Sequence, residues 1–266
     1  MAASLLPTFA EFIRRASDAE LAQETVVPMH LRLAGAKQGS RTLSVAYAPF
    51  DHINLSATVV IVGLTPGRHQ MREALLEARR LLRAGASIET AAASAKIHAS
   101  FSGPMRANLV AMLDHVGLAN KLGLRSTAEL WGRASDRAHF TSALRYPVFV
   151  DGANYSGAPD MLRTPLLRDQ LTRWLPQDLA ALPDAVVVPL GPKVTAGVEA
   201  AAAAAGFDRR RVLSGLPHPS GANAERIAFF LDRKPRDGLS AKVAPDVILA
   251  GRDAVVASVA RLGGLA

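Results

Sequence analysis

The sequence predicts an α/β fold, a three-layer α/β/α sandwich around a central, mostly parallel four-stranded sheet. Three observations predict it. Short apolar runs alternate with segments of helical period, the pattern that right-handed strand-helix-strand crossovers produce. The run Val59-Val60-Ile61-Val62 carries no polar residue, as a strand buried on both faces requires. With 266 residues and 49% apolar content, one large domain can bury a substantial core.

Taken in order, Met1 to Leu21 reads as an amphipathic helix, because Phe9, Phe12 and Ile13 interleave with Glu11, Arg14, Arg15 and Asp18. Strands are expected at Thr42–Tyr47 and Ala57–Gly63. A helix follows over Met71–Ala84, with Ala74, Leu75, Ala78, Leu81 and Leu82 on one face. Alanine-rich Ser87–His98 is either a second helix or an ordered insertion. Met105, Leu109, Met112, Leu113 and Val116 recur at helical spacing, and Gly117 ends that helix. The next strand, His139–Leu144, leads into a loop of turn formers holding Tyr146, Pro147, Asn154, Tyr155 and Gly157. A helix at Met161–Trp174, a buried strand at Ala185–Leu190 and an alanine-rich helix opened by Gly191-Pro192 follow. The last strand, Arg211–Leu216, runs into a turn and a helix over Ala224–Leu231. These elements form a single domain over residues 1–266, its core about 40–235, with helical extensions at both ends. The basic run Arg233-Lys234-Pro235-Arg236 marks where the C-terminal segment leaves the core.

Composition removes several classes of chemistry. The absence of cysteine excludes disulfides, thiolate nucleophiles, Fe–S clusters and thiolate zinc sites. No His pair sits at ligand spacing, so no metal is expected. No apolar stretch reaches the roughly 18 residues of a membrane span, and the N-terminus lacks a secretory layout. A soluble cytoplasmic protein is the expectation. A formal charge of +8 favours an anionic partner such as nucleic acid.

Two segments stand out. Gly63-Leu64-Thr65-Pro66-Gly67 ends a buried strand, where glycines let backbone approach a ligand closely. Leu216-Pro217-His218-Pro219-Ser220-Gly221-Ala222-Asn223 holds one imidazole in a rigid turn. In a parallel sheet both turns lie on the rim where ligands bind.

This pair, in this order, resembles the two signature motifs of the uracil-DNA glycosylase superfamily, and the resemblance covers residues of about 57–232. Phe101-Ser102-Gly103 looks like the segment whose Phe stacks on the extruded uracil. Thr141-Ser142-Ala143-Leu144-Arg145 looks like the strand end that carries the residue reading the uracil edge. The resemblance implies a monofunctional DNA repair enzyme that flips uracil out of single- or double-stranded DNA and hydrolyses its N-glycosidic bond, leaving an abasic site. It needs no metal and no diffusible cofactor, and acts as a monomer on the bacterial nucleoid. Catalysis falls to His218, Thr65 and His69. Gly63, Leu64, Pro66, Gly67, Arg68, Phe101, Ser142 and Asn154 bind the base, and Ser220, Gly221, Ala222, Asn223 and Arg226 face the DNA.

The chain departs from the pattern at three points. Thr65 stands where relatives place Asp, Glu or Asn to orient water; a Thr hydroxyl holds a water but is no general base, which leaves His69 or Gln70 to position it. Ser142 replaces an Asn, and either it or Asn154 reads the base edge. No ligand exists for the Fe–S cluster of the thermostable relatives, and the insertion between Arg68 and Ser100 is long. The departures leave two further readings. One is excision of hypoxanthine, xanthine or mismatched thymine on the same fold. The other is a damaged-DNA-binding protein with little turnover, which traps its target through His69 or another nucleophile.

Overall fold

The buried carboxylate of Asp51 anchors the start of the first helix in a computed structural model that describes residues 4–263. It accepts the Ser4 hydroxyl at 2.8 Å and the Leu5 and Leu6 amides, capping helix α1 (Leu6–Arg15). The expected helix from Met1 to Leu21 begins outside the described residues. Within them it is two helices, because Ser17 and Glu20 form a reciprocal capping box that starts α2 (Asp18–Glu24).

An antiparallel hairpin follows, β1 (Arg32–Gln38) with β2 (Arg41–Ala46). The chain then enters β3 (Val59–Gly63), helices α3 (Arg68–Arg83), α4 (Ile88–Ala99), α5 (Pro104–His115) and α6 (Leu118–Lys121), and β4 (Ala138–Ser142). Two short strands, β5 (Val148–Val150) and β6 (Ala153–Asn154), precede α7 (Pro165–Ala181), β7 (Val186–Pro189), α8 (Pro192–Ala205), α9 (Ala224–Phe230) and α10 (Pro245–Arg261). Gly117 terminates α5 in the left-handed conformation, φ 80°.

The expected single, mostly parallel four-stranded sheet is replaced by two sheets. One is parallel and three-stranded, in the order β4-β3-β7; the other is antiparallel and four-stranded, in the order β1-β2-β5-β6. Arg211–Leu216 does not extend the parallel sheet as a strand. It makes one bridge, Val212 to Val187, before Gly215 turns the chain away at φ 139° and Pro217 removes a donor. The strand expected at Thr42–Tyr47 is β2, which pairs antiparallel with β1 and β5.

Alternation along the parallel strands divides the core. Val60, Val62 and Val187 face one cluster, filled by α3, α4, α7 and α8. Val59, Ile61, Val186 and Val188 face a second, filled by α5, α6, α9 and α10. The parallel sheet is therefore buried on both faces, which accounts for its unbroken apolar runs. The C-terminal segment does not leave the core, since Val255 and Val259 of α10 are buried in the second cluster. The registers Gly63 with Ser142 and Val62 with Pro189 bring three strand ends to one rim. Among the described residues no helix is long and apolar enough to cross a membrane.

Candidate active site

A cavity of about 1030 Å³ opens at that rim. Both glycine-rich motifs line it, the first through Gly63 to Gly67 and the second through Leu216 to His218 with Ser220, Ala222 and Asn223. Among the described residues no Asp or Glu lines it, whereas Arg145, Lys193, Arg226 and Lys242 do. The cavity suits an anion or a group that becomes one.

Phe101, Gly63 and Ser142 meet at its floor. A Cβ at Gly63 would stand 3.2 Å from the Phe101 ring and 3.5 Å from the Ser142 hydroxyl, so the glycine makes room for the aromatic. Phe101 adopts φ 52°, a left-handed conformation that costs roughly 1–3 kcal/mol for such a residue. Its backbone is held from outside the cavity. The Ser100 carbonyl accepts Arg106 Nη2 at 3.1 Å and Trp131 Nε1 at 3.0 Å. Trp131 also stacks on Phe140 at 4.6 Å, and Phe140 meets Phe101 edge-on at 6.1 Å. One tryptophan thus secures both the backbone and the ring of the platform.

His218 lines the same cavity. The Ser220 amide donates to its Nδ1 at 3.2 Å, which places the proton of the neutral ring on Nε2. Burial lowers its pKa, so the ring is neutral near pH 7. Among the described residues Nε2 has no hydrogen-bond partner. The turn is braced by Asn108, which donates to the Pro219 carbonyl at 3.0 Å. Gly191, at φ 91°, lies where a Cβ would press on His218 Cβ at 3.3 Å. Arg226 lies beside it, donating to Asn223 at 3.3 Å and to the Lys242 carbonyl at 2.7 Å.

Several predicted residues are engaged elsewhere. The Thr65 hydroxyl lines the cavity but donates to the Tyr146 carbonyl at 2.9 Å and accepts the Val148 amide at 3.2 Å. It stitches the first motif to β5. Asn154 lines the mouth, with its carbonyl oxygen accepting the Arg68 amide at 2.9 Å. Gln70 folds back onto the Gly67 amide at 3.1 Å. His69 is exposed on the first turn of α3 and does not line the cavity; nor do Gly221 and Arg68, whose guanidinium reaches the Thr25 carbonyl at 2.8 Å. Arg106, Trp131 and α10 carry no motif, so sequence patterns offered no signal for them.

Beneath the floor lies a buried polar cluster. Asp178 of α7 accepts the Thr141 hydroxyl at 2.8 Å and pairs with Arg145, whose guanidinium covers the Trp174 ring at 4.8 Å. Charge and hydrogen-bonding partners hold its carboxyl well below the usual range despite burial. His139 Nε2 stands 3.6 Å from the same carboxylate. Burial, with Lys96 nearby, pushes its pKa down to about 4. Lys96 donates to the His52 carbonyl at 2.6 Å, and burial lowers its ammonium pKa to about 7. These groups fix the end of β4 and with it Ser142.

Comparison with known proteins finds one at 37% identity over 195 residues, spanning 72% of this chain and 76% of the relative, the uncharacterized protein YoxB of Bacillus subtilis (strain 168). No family model and no solved structure matches the chain. Among the described residues no group of His, Asp and Glu is placed to hold a metal ion.

Proposed function

We propose that this chain, which belongs to the same family as YoxB of Bacillus subtilis, hydrolyses the N-glycosidic bond of uracil in DNA and leaves an abasic site. The observation that carries the reading is the neutral His218, its Nε2–H unpartnered and no Asp or Glu beside it among the described residues, in a cavity that Phe101 also lines. A base cannot be attacked inside a duplex, so it must be extruded into such a slot and stacked. Phe101 supplies the stacking face and Ser142 a hydroxyl at the base edge.

Bond cleavage moves the C1′–N1 electron pair onto the uracil ring, where the charge spreads to O2. A preset N–H donor at that oxygen is worth about 3 kcal/mol or more, because it costs no reorganisation as charge develops. His218 Nε2–H is that donor, with the Leu64 and Thr65 amides beside it. The sugar becomes cationic and water adds at C1′, losing its proton to the departing uracil anion. With no Asp or Glu lining the cavity among the described residues and the Thr65 hydroxyl engaged by backbone, water is captured late and without a general base. Departure of the base, not activation of water, dominates this barrier.

The same absence of a carboxylate favours a second reading, a damaged-DNA-binding protein with little turnover. Incubating the purified chain with uracil-containing single-stranded oligonucleotide separates the two. Release of free uracil over many cycles supports the enzyme; tight binding without release supports the binder.

A further inference from the structure

Residues beyond 235 carry no part of either motif, yet they complete the cavity. The α9–α10 connection is tied to the start of α9. Glu225 accepts Lys234 at 2.7 Å and the Ser240 amide at 2.9 Å, while Arg226 holds the Lys242 carbonyl. Further along, α10 crosses the segment leading to His218 with backbone touching backbone. A Cβ at Gly215 would stand 2.2 Å from the Gly251 carbonyl oxygen, and one at Gly251 would stand 2.7 Å from the Gly215 oxygen. Neither position has room for a side chain. Arg252 adds a bond to Asp232 at 2.6 Å. The helix is therefore a fixed part of the site.

Its N-terminal end places Ala244, Val247 and Ile248 along the cavity wall. Val247 is 71% exposed, a large apolar side chain standing in solvent at the cavity mouth. Arg226 and Lys242 line the same cavity, and the neighbouring Asp246 pairs with Arg236 at 2.7 Å. An exposed aliphatic group on a cavity that cations also line matches a nucleic-acid strand, whose bases offer apolar faces and whose phosphates offer charge.

We propose that α10 is the DNA-facing wall of this site, with Val247 packing on the nucleobase next to the extruded one and Arg226 and Lys242 meeting the flanking phosphates. This rests on reading the cavity as a base-excision site. It assigns DNA contact to a helix outside both motifs, and it makes Gly215 and Gly251 the pair that positions that helix.

The test uses the full chain, a fluorescent single-stranded uracil oligonucleotide and free uracil as a competitive product. Val247→Asp is expected to weaken oligonucleotide binding by about tenfold, to raise KM far more than it changes kcat, and to leave inhibition by free uracil as it was. Val247→Phe is expected to bind at least as tightly as the natural protein, since an aromatic stacks on a base. Natural-like binding and KM in Val247→Asp overturn the proposal. So does a parallel loss of free-uracil inhibition, which would place Val247 on the extruded base itself. If the natural chain releases no uracil but Val247→Asp still weakens its grip on the oligonucleotide, the wall stands and only the enzymatic reading fails. If the natural chain neither binds nor cleaves the oligonucleotide, both fall.

Discussion

Replacing His139 should flatten the acid side of the stability curve by an amount the structure sets. The ring is 1% exposed, and its pKa is pushed from an ordinary 6.5 down to about 4 by burial and by nearby Lys96. The folded protein therefore keeps His139 neutral while the unfolded chain takes a proton below pH 6.5. Protons then bind preferentially to the unfolded state, so stability falls as pH drops from 6.5 towards 4. At ~1.4 kcal/mol per pH unit, lowering the pH to about 5 removes roughly 2 kcal/mol, and about 3 kcal/mol is gone near pH 4. The rest of the cluster does not mask this window. Lys96, depressed to about 7, adds stability only as pH rises from 7 towards 10.5. Asp178, held low, loses its contribution only below the ordinary carboxylate range. His52 and His218 are lowered in the same direction, so the comparison must be made against a variant. Urea unfolding followed by tryptophan fluorescence at about pH 7.5 and 5, for the natural chain and His139→Gln, isolates the residue. The natural chain is expected to lose roughly 2 kcal/mol more than the variant between the two pH values. Equal losses in both would refute the assignment of a neutral, unprotonated His139 in the fold.

Other consequences follow from the site. His218→Ala is expected to cut kcat for uracil release by about 100-fold or more with little change in oligonucleotide affinity, because its hydrogen bond strengthens as charge develops; single-turnover kinetics beside an anisotropy titration read the two separately. Trp131→Phe keeps the stack on Phe140 but deletes the Nε1 donor to Ser100, so the protein should fold while inhibition by free uracil weakens a few-fold, the equivalent of about 1 kcal/mol for one lost hydrogen bond. Gly251→Val forces α10 off Gly215 and should lower thermal stability by about 2 kcal/mol, overpacking against backbone, which a thermal melt will show; an unchanged melt would mean that the two backbones part without cost.

The parallel half of the fold was legible because its strands are buried on both faces. Val59 to Val62 and Val186 to Val188 cannot be read otherwise, and their strand ends located the rim correctly. The antiparallel sheet was not legible. β1 is largely exposed along Arg32–Gln38, and β5 and β6 have three and two residues, too short for a period to declare itself. β5 pairs with β2, far away in the chain, and pairing at such range leaves no local mark. Arg211–Leu216 looked like a strand because Val212, Leu213 and Leu216 are apolar, but Gly215 and Pro217 end its pairing after one bridge. In the site, Gly63 and His218 stood out because turn chemistry and small residues advertise close approach, whereas Phe101 and Ser142 were reached only through the family resemblance. Thr65 and Asn154 line the cavity too, but their side chains are partly committed to neighbouring backbone, a commitment that depends on the unread sheet. The support from Arg106, Trp131 and α10 arises only from packing between elements distant in sequence.

Base excision here rests on a neutral His218 in a cavity that Phe101 lines and that, among the described residues, no Asp or Glu lines. Its most direct test is chromatographic quantification of free uracil from a single-uracil oligonucleotide, incubated with the natural chain and with folded His218→Ala. Multiple turnovers by the natural chain, nearly abolished in the variant, are the expected result. No free uracil from the natural chain, or equal release by both proteins, would contradict the account.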